Sequence, residues 1–210
     1  MTFAKTVVVS LALLFLAGSP AESQTTWSAV PDFTVAANPN GAWSYGWEDF
    51  LGGPFHAYTV ADTVSVPGID AWLEAGFYPF DPPYVARNVT TKPICYEMFC
   101  VPVMYLHLHP SASDQYSVVR WTAPAAGLYV LGGAFLGLDY GGPTTTDVHV
   151  LVNSSVSLFD GEIDSFNKPV PFQGTAVLNA GDTIDFAVGY GSDGNYFNDS
   201  TGIRCWIALR

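Results

Sequence analysis

The chain of 210 residues carries 7 lysines and arginines against 19 aspartates and glutamates, a net charge of −12 at pH 7. Phosphate backbones and anionic lipid surfaces repel so acidic a chain, which argues against nucleic-acid binding and membrane insertion. Neutral glycans and cations remain as ligands. Since 49% of the residues are hydrophobic, the chain can bury a large core.

The N-terminus has the pattern of a secretory signal peptide. Lys5 precedes an apolar run over residues 7–17, and the small residues Ala21 and Ser23 then suit signal peptidase. The run is shorter than a bilayer span requires. We therefore predict a signal peptide over residues 1–23 and a single domain over residues 24–210, secreted to the outside of the cell or its surface.

The first half of the chain predicts short strands joined by long loops. The turn Asn38-Pro39-Asn40-Gly41 precedes a strand over residues 42–47. Residues 48–100 contain many prolines, so we expect long ordered loops rich in Pro and aromatic residues. Within them we expect one strand near residues 55–60, some edge strands, and at most a helical turn near residues 69–75.

Two groups of aromatic residues in this half are candidate carbohydrate-binding platforms. Trp43, Tyr45 and Trp47 fall at every second position of one strand, so their rings line one face about 6 to 7 Å apart. Such a row can stack on pyranose rings, but an inward-facing row would be core instead. The second group lies in or near the Pro-rich loop and comprises Trp72, Tyr78, Phe80 and Tyr84.

The three cysteines have two predicted roles. Cys95 and Cys100 bracket four residues, and in an exported chain such a pair predicts a local disulfide. A structural metal is the alternative, but two further ligands are not nearby in the sequence. Cys205 shares a strand face with Ile203 and Ile207, which predicts a buried, inert thiol.

The second half predicts a series of short antiparallel strands. From Tyr116 to Ile207, alternating segments are separated by Gly, Pro, Asn and Asp turns at nearly regular spacing. The segments 103–109, 147–152 and 183–190 each have one apolar face, as strands over a shared core require. The pattern is typical of an all-β sandwich or barrel, here with about 8 to 10 strands.

Four segments resemble a family of exported, mostly bacterial jelly-roll domains that occur in proteins with cell-surface sorting signals or beside polysaccharide-active modules. They are NPNGAWSYGW, LHLHPSASDQYSVVRWTAPAAGLYVLGGAFLGLD, TTDVHVLVN and LNAGDTIDFAVGYGSDGNYFNDSTGI. The resemblance implies an antiparallel jelly-roll β-sandwich of the carbohydrate-binding kind. The last hairpin also resembles the end of tumour-necrosis-factor and complement-type jelly rolls, which trimerise.

Loop residues supply two further kinds of candidate site. Asp193, Asn195 and Asp199 place oxygen atoms at short spacing in one loop, which makes them candidate ligands for Ca²⁺. A solvated acidic turn is the simpler interpretation of the same residues. Three sequons provide candidate glycosylation sites, namely Asn88, Asn153 and Asn198.

Catalytic patterns are weak. His107 and His109 share a strand face, and His149 is a candidate third ligand of a cupin-type metal centre, but the carboxylate that such a centre needs does not follow them. Glycoside cleavage requires two facing carboxylates at a set separation. The candidate pairs are Glu162 with Asp164 and Asp182 with Asp185.

These observations favour a secreted, non-catalytic binding module. We predict that it recognises a polysaccharide or a cell-surface glycan through aromatic stacking. The alternative is a structural subunit of an extracellular layer or filament, which would bind copies of itself. A metal-dependent or glycoside-active enzyme is a third hypothesis.

Overall fold

The computed structural model describes residues 25–75, 83–96 and 98–210. The predicted signal peptide, Tyr78 and Phe80 lie outside these residues. Within them the chain forms sixteen strands, one helical turn (α1, Ala29–Asp32) and one 3-10 turn (Gly191–Asp193). The strands are β1 (Thr26–Ser28), β2 (Trp43–Glu48), β3 (Phe55–Ala57), β4 (Val60–Asp62), β5 (Ile69–Leu73), β6 (Tyr84–Asn88), β7 (Ile94–Cys95), β8 (Cys100–Val101), β9 (Leu106–His109), β10 (Tyr116–Thr122), β11 (Gly127–Gly137), β12 (Thr146–Val152), β13 (Val156–Ile163), β14 (Pro169–Leu178), β15 (Thr183–Val188) and β16 (Thr201–Leu209).

Two antiparallel sheets pack face to face as a jelly-roll β-sandwich, which confirms the predicted fold class. The eight-stranded sheet has the order β14-β11-β16-β9-β6-β5-β4, and β1 also pairs with β16. The six-stranded sheet has the order β13-β12-β15-β10-β2-β3. Strands distant in sequence therefore lie side by side. For example, β10 lies between β2 and β15 and pairs with both.

The main core lies between the sheets and consists of the inward-facing positions of both. Its largest fully buried side chains are aromatic, and they come from β2, β10, β11 and β15. Trp121 and Tyr129 meet edge to face with ring centroids 4.9 Å apart, a favoured aromatic geometry. Period-two alternation explains this core, because every second residue of a strand points to the same side.

A second, smaller core lies on the outer face of the eight-stranded sheet. The hairpin of β7 and β8 covers β5 and β6 there, so that Ile94, Phe99 and Val101 pack against that face. The predicted disulfide between Cys95 and Cys100 is present, and it closes this hairpin. A short covalent link thus holds a hairpin that has little core of its own.

The first half contains more regular structure than its prolines predict. Between residues 48 and 100 the described chain forms six short strands, β3 to β8, where long loops with some edge strands were expected. The expected helical turn is wrong, because Ile69–Leu73 is a strand that pairs with β4 and β6. These short strands raise the total above the predicted 8 to 10. No helix among the described residues is long and apolar enough to cross a bilayer.

Candidate functional site

Trp206 is an exposed aromatic residue on the outer face of the eight-stranded sheet. Ile203, Cys205 and Ile207 fill the inward positions of β16, so Arg204 and Trp206 point outward. Trp206 is 39% exposed. Its indole lies over Gly132 on β11, where a Cβ atom would come within 3.1 Å of the ring. Because glycine has no side chain, the ring lies against the sheet and keeps one face toward solvent.

An open cavity of about 510 Å³ lies beside this ring. Strand β16 forms its floor, and β1 and α1 form one wall. Met104, which is 65% exposed, stands at the rim. The described residues that line the cavity are Ser28, Val30, Pro31, Met104, Gly133, Arg204, Cys205 and Trp206. The cavity therefore joins an indole, a guanidinium group and a hydroxyl on a mainly apolar surface.

Arg204 supplies the charge of this cavity. Its guanidinium carbon lies 5.2 Å from the centre of the Tyr105 ring, in cation–π contact. Tyr105 is itself buried and packs against Leu136 and Leu138. None of the described lining residues carries a carboxylate, and no described carboxylate forms an ion pair with Arg204. The guanidinium is thus positioned by a ring and retains its donors for a ligand.

The predicted platform of Trp43, Tyr45 and Trp47 is wrong, because the row faces inward. Trp43 and Tyr45 are 1% and 0% exposed and belong to the main core. Trp47 packs against the same core and stacks on His56 with ring centroids 4.3 Å apart. Alternation placed the three rings on one face correctly. That face is the one that the second sheet covers, so these rings present no platform to solvent.

The second predicted platform is also buried where the structure describes it. Trp72 is 6% exposed, and its indole N–H donates to the Thr34 carbonyl oxygen over 2.8 Å. Tyr84 is 7% exposed, and its hydroxyl lies 3.1 Å from Nε2 of His107. Burial, followed by the charge of Asp139, raises the pKa of Tyr84. Both rings therefore stabilise the fold, and Tyr78 lies outside the described residues.

The histidines do not assemble into the metal centre considered above. Burial lowers the pKa of His107 to about 3 and of His109 to about 4, so both are neutral. His149 lies on the other sheet, between Asp147 and Asp160, with ring nitrogens 2.9 and 2.6 Å from their carboxylates. Among the described residues no group of three or more His, Cys, Asp or Glu side chains is arranged to hold a metal ion.

The three candidate calcium ligands occupy different environments. Asp193 is exposed and accepts hydrogen bonds from the backbone and side chain of Asn195. Asp199 is fully buried and accepts from Thr145 N–H and the Thr146 hydroxyl. Burial raises the pKa of Asp199 to about 7. The geometry favours a local turn for the first two residues, and the Ca²⁺ site stays a prediction.

The asparagines of the three sequons differ in their exposure to solvent. Asn88 is 1% exposed, and its side-chain amide donates to the carbonyl oxygens of Lys92 and Val101. A glycan on that nitrogen would remove one of these two N–H donors and would have to fit at a buried atom, so the folded structure contradicts this candidate. Asn153 lies exposed in the turn between β12 and β13, and Asn198 is half-buried. Glycosylation at these two residues stays a prediction.

A buried ionic cluster occupies the outer face of the six-stranded sheet. Arg120 on β10 donates to both carboxylate oxygens of Asp185 on β15 and to Glu48 on β2. Both carboxylates are fully buried, and the Phe55 ring covers the guanidinium at 4.2 Å. Ser154 adds a hydroxyl bridge between Arg120 and Asp185. This structural pairing leaves Asp185 unavailable to act with Asp182 in glycoside cleavage.

The cluster holds two carboxylates against one cation, and this imbalance predicts a pH effect. Burial, followed by the charge of Asp185, raises the pKa of Glu48 to about 7 from its ordinary value near 4.5. Between about pH 4.5 and pH 7, Glu48 therefore carries a proton in the folded protein but has lost it in the unfolded chain. Above pH 7 the buried carboxylate is ionised, and its charge lowers the free energy of unfolding. We expect Glu48→Gln to raise the free energy of unfolding by about 1 to 2 kcal/mol at pH 8, and by less at pH 5.

Urea denaturation at the two pH values measures this effect. Glu162→Gln, at an exposed position of β13, is the matched control and should change stability by less than about 0.5 kcal/mol at either pH. If Glu48→Gln instead lowered stability at pH 8, the ionised carboxylate would be a net stabilising partner of Arg120.

Sequence reasoning missed Trp206 although the signal was present. The alternation that assigns Ile203, Cys205 and Ile207 to the core also assigns Arg204 and Trp206 to the opposite face. The contact with Gly132 could not be predicted in the same way. It depends on the register between β11 and β16, which are about 70 residues apart in the chain.

No family model matches the chain, and no curated protein matches it. Among solved structures, it is similar to a family 35 carbohydrate binding module from Clostridium thermocellum, with 19% identity over 56% of this chain and 84% of that chain (TM-score 0.34). CBM51 from Clostridium perfringens GH95, in complex with methyl-galactose, shows 13% identity over 73% of this chain and 95% of that chain (TM-score 0.39). Rabbit GITRL shows 20% identity over 44% of this chain and 70% of that chain (TM-score 0.29).

Proposed function

We propose that this protein is a secreted, non-catalytic module that binds a glycan in the Trp206 cavity. The single observation that carries the proposal is the solvent-facing indole of Trp206, supported from below by Gly132. Sugars bind through the apolar C–H faces of their rings, and an exposed indole offers the largest flat apolar surface among the side chains.

The surroundings of the indole suit a sugar better than a wholly apolar ligand. Arg204 and the hydroxyl of Ser28 border the same cavity, and they supply hydrogen-bond donors for ring hydroxyl groups. The volume of about 510 Å³ lies within the range of about 300 to 1,000 Å³ that is usual for small-molecule sites. The described lining residues include neither a carboxylate nor a histidine, so the site is proposed for binding and not for acid–base chemistry.

Export is part of the same proposal. The basic and apolar N-terminal sequence has the composition of a signal peptide, and the Cys95–Cys100 disulfide suits an oxidising compartment. A glycan ligand would be met outside the cell, on a cell wall or a neighbouring cell.

The proposal is tested by retention of the protein without its signal peptide on a panel of insoluble polysaccharides. We expect at least one polysaccharide to retain the wild-type protein and Trp206→Ala to weaken retention by about 5- to 150-fold, because a stacked ring contributes about 1 to 3 kcal/mol. Phe197→Ala removes an aromatic ring that is 62% exposed elsewhere and should have no effect. Equal retention of Trp206→Ala and the wild type would contradict the proposal.

The alternative of a self-assembling subunit has its own candidate surface. Met98, Tyr140 and Phe166 are each between 44% and 48% exposed beside the disulfide hairpin. The rings of Tyr140 and Phe166 meet with centroids 5.4 Å apart, so the patch is continuous. Sedimentation of the same wild-type sample without glycan distinguishes the two functions. A large species would favour assembly, whereas a monomer retained through Trp206 would favour glycan binding.

A further inference from the structure

The charge of the Trp206 cavity narrows the class of glycan that it fits. The whole chain has a net charge of −12, yet the charged group among the described lining residues is the cation Arg204. A general attraction to polyanions therefore cannot operate, since the overall field repels them. Any preference for a negative ligand would have to come from this local group.

Arg204 differs from cations of this chain that neutralise a carboxylate of the protein. Arg120 is paired with Glu48 and Asp185, and Lys168 is paired with Asp164. Arg204 is held by the Tyr105 ring, and among the described residues it has no acidic partner. A guanidinium group fits a carboxylate in a bidentate manner, and hydrogen bonds between such charged groups are stronger than those between neutral groups.

The spacing of the two side chains matches one sugar unit. Arg204 and Trp206 lie two positions apart on the outer face of β16, which separates them by about 6 to 7 Å. A pyranose ring that stacks on the indole can therefore direct a carboxylate on its C5 carbon toward the guanidinium. Ser28 pairs with Trp206 in the neighbouring strand and places a hydroxyl beside the same ring.

We infer that the ligand is an acidic glycan built from uronic acid units, recognised by stacking on Trp206 and by a carboxylate–guanidinium contact with Arg204. This inference rests on the proposed glycan-binding function and deepens it. A neutral glycan would leave the donors of Arg204 without a charged acceptor, so it should bind more weakly.

The test compares each uronate with a neutral form of the same sugar. Short oligomers of galacturonate, mannuronate and glucuronate are titrated calorimetrically into the protein, each alongside its methyl ester. Esterification keeps the ring and removes the charge. We expect at least one uronate to bind at least about tenfold more tightly than its ester. Short oligomers also limit repulsion by the rest of the acidic surface.

Variants separate the two contacts. Arg204→Gln should weaken binding of the acid by at least about tenfold and abolish the difference between acid and ester, whereas Arg204→Lys should retain part of the difference. Trp206→Ala should weaken both forms. Lys168→Gln removes an exposed cation that is paired with Asp164, and it should change neither affinity.

The outcomes distinguish failure of this inference from failure of the proposed function. Equal affinities for acid and ester, or Trp206-dependent binding of a neutral glycan alone, would overturn the acidic ligand and leave glycan binding in place. If neither the uronates nor the polysaccharide panel bound in a Trp206-dependent way, both proposals would be wrong.

Discussion

Trp43→Ala is expected to lower the free energy of unfolding by about 3 to 5 kcal/mol. Trp43 is 1% exposed between the two sheets, and its ring packs against Phe186 with centroids 6.4 Å apart. Removing the indole leaves a large cavity that the surrounding strands cannot fill, because both sheets hold their positions through backbone hydrogen bonds. Urea denaturation followed by tryptophan fluorescence and circular dichroism measures the loss.

Trp206→Ala is the matched control for this prediction. Its ring is partly exposed and lies on the outside of the sheet, so its removal should cost less than about 1 kcal/mol of stability. The two variants should therefore show opposite behaviour, with Trp43→Ala losing stability and Trp206→Ala losing glycan retention. A stable Trp43→Ala protein that had lost retention would place the ligand on β2 and contradict the assignment of this ring to the core.

Arg120→Leu is expected to lower the free energy of unfolding by about 3 to 5 kcal/mol, because it leaves Glu48 and Asp185 buried without a cation. Leucine supplies apolar volume but cannot donate to either carboxylate. The loss should be smaller at pH 5 than at pH 8, since Glu48 has a pKa of about 7 in the folded protein and is neutral at the lower pH. Thermal and urea unfolding at both pH values measure the difference.

Lys168→Leu is the control for the loss of an ion pair at the surface. Lys168 and Asp164 are both more than half exposed, and such pairs contribute about 0 to 1 kcal/mol. Replacing Arg120, Glu48 and Asp185 together with apolar residues should restore much of the stability that Arg120→Leu loses. If Arg120→Leu cost no more than Lys168→Leu, the cluster would not be an important stabilising element.

Strand alternation made much of the fold predictable. β10, β12, β15 and β16 each place apolar residues at every second position, and each of them contributes to the core between the sheets. The Cys95–Cys100 disulfide and the buried Cys205 were also predictable, since spacing and alternation are local properties. The short strands β3 to β8 were not predicted well, because strands of two to five residues depend on their partners for hydrogen bonds.

The candidate site was harder to predict for a related reason. A period of two shows which side chains share a face, but it does not show which face another sheet covers. Trp43 and Tyr45 on β2 illustrate this limit, because their row is equally consistent with a core and with a platform. On β16 the neighbours Ile203 and Ile207 resolve the choice, and the outward position of Trp206 then follows.

The sequence by itself determined an acidic, all-β chain with a local disulfide and a set of strands with defined apolar faces. Tertiary structure alone decided that Gly132 lies beneath Trp206, that Tyr105 holds Arg204, and that one arginine serves the carboxylates of two strands. The physical reason is that the side of a strand to which a residue points depends on its neighbours along the chain. Register and burial depend on strands that are distant in sequence and meet only in the folded sheet.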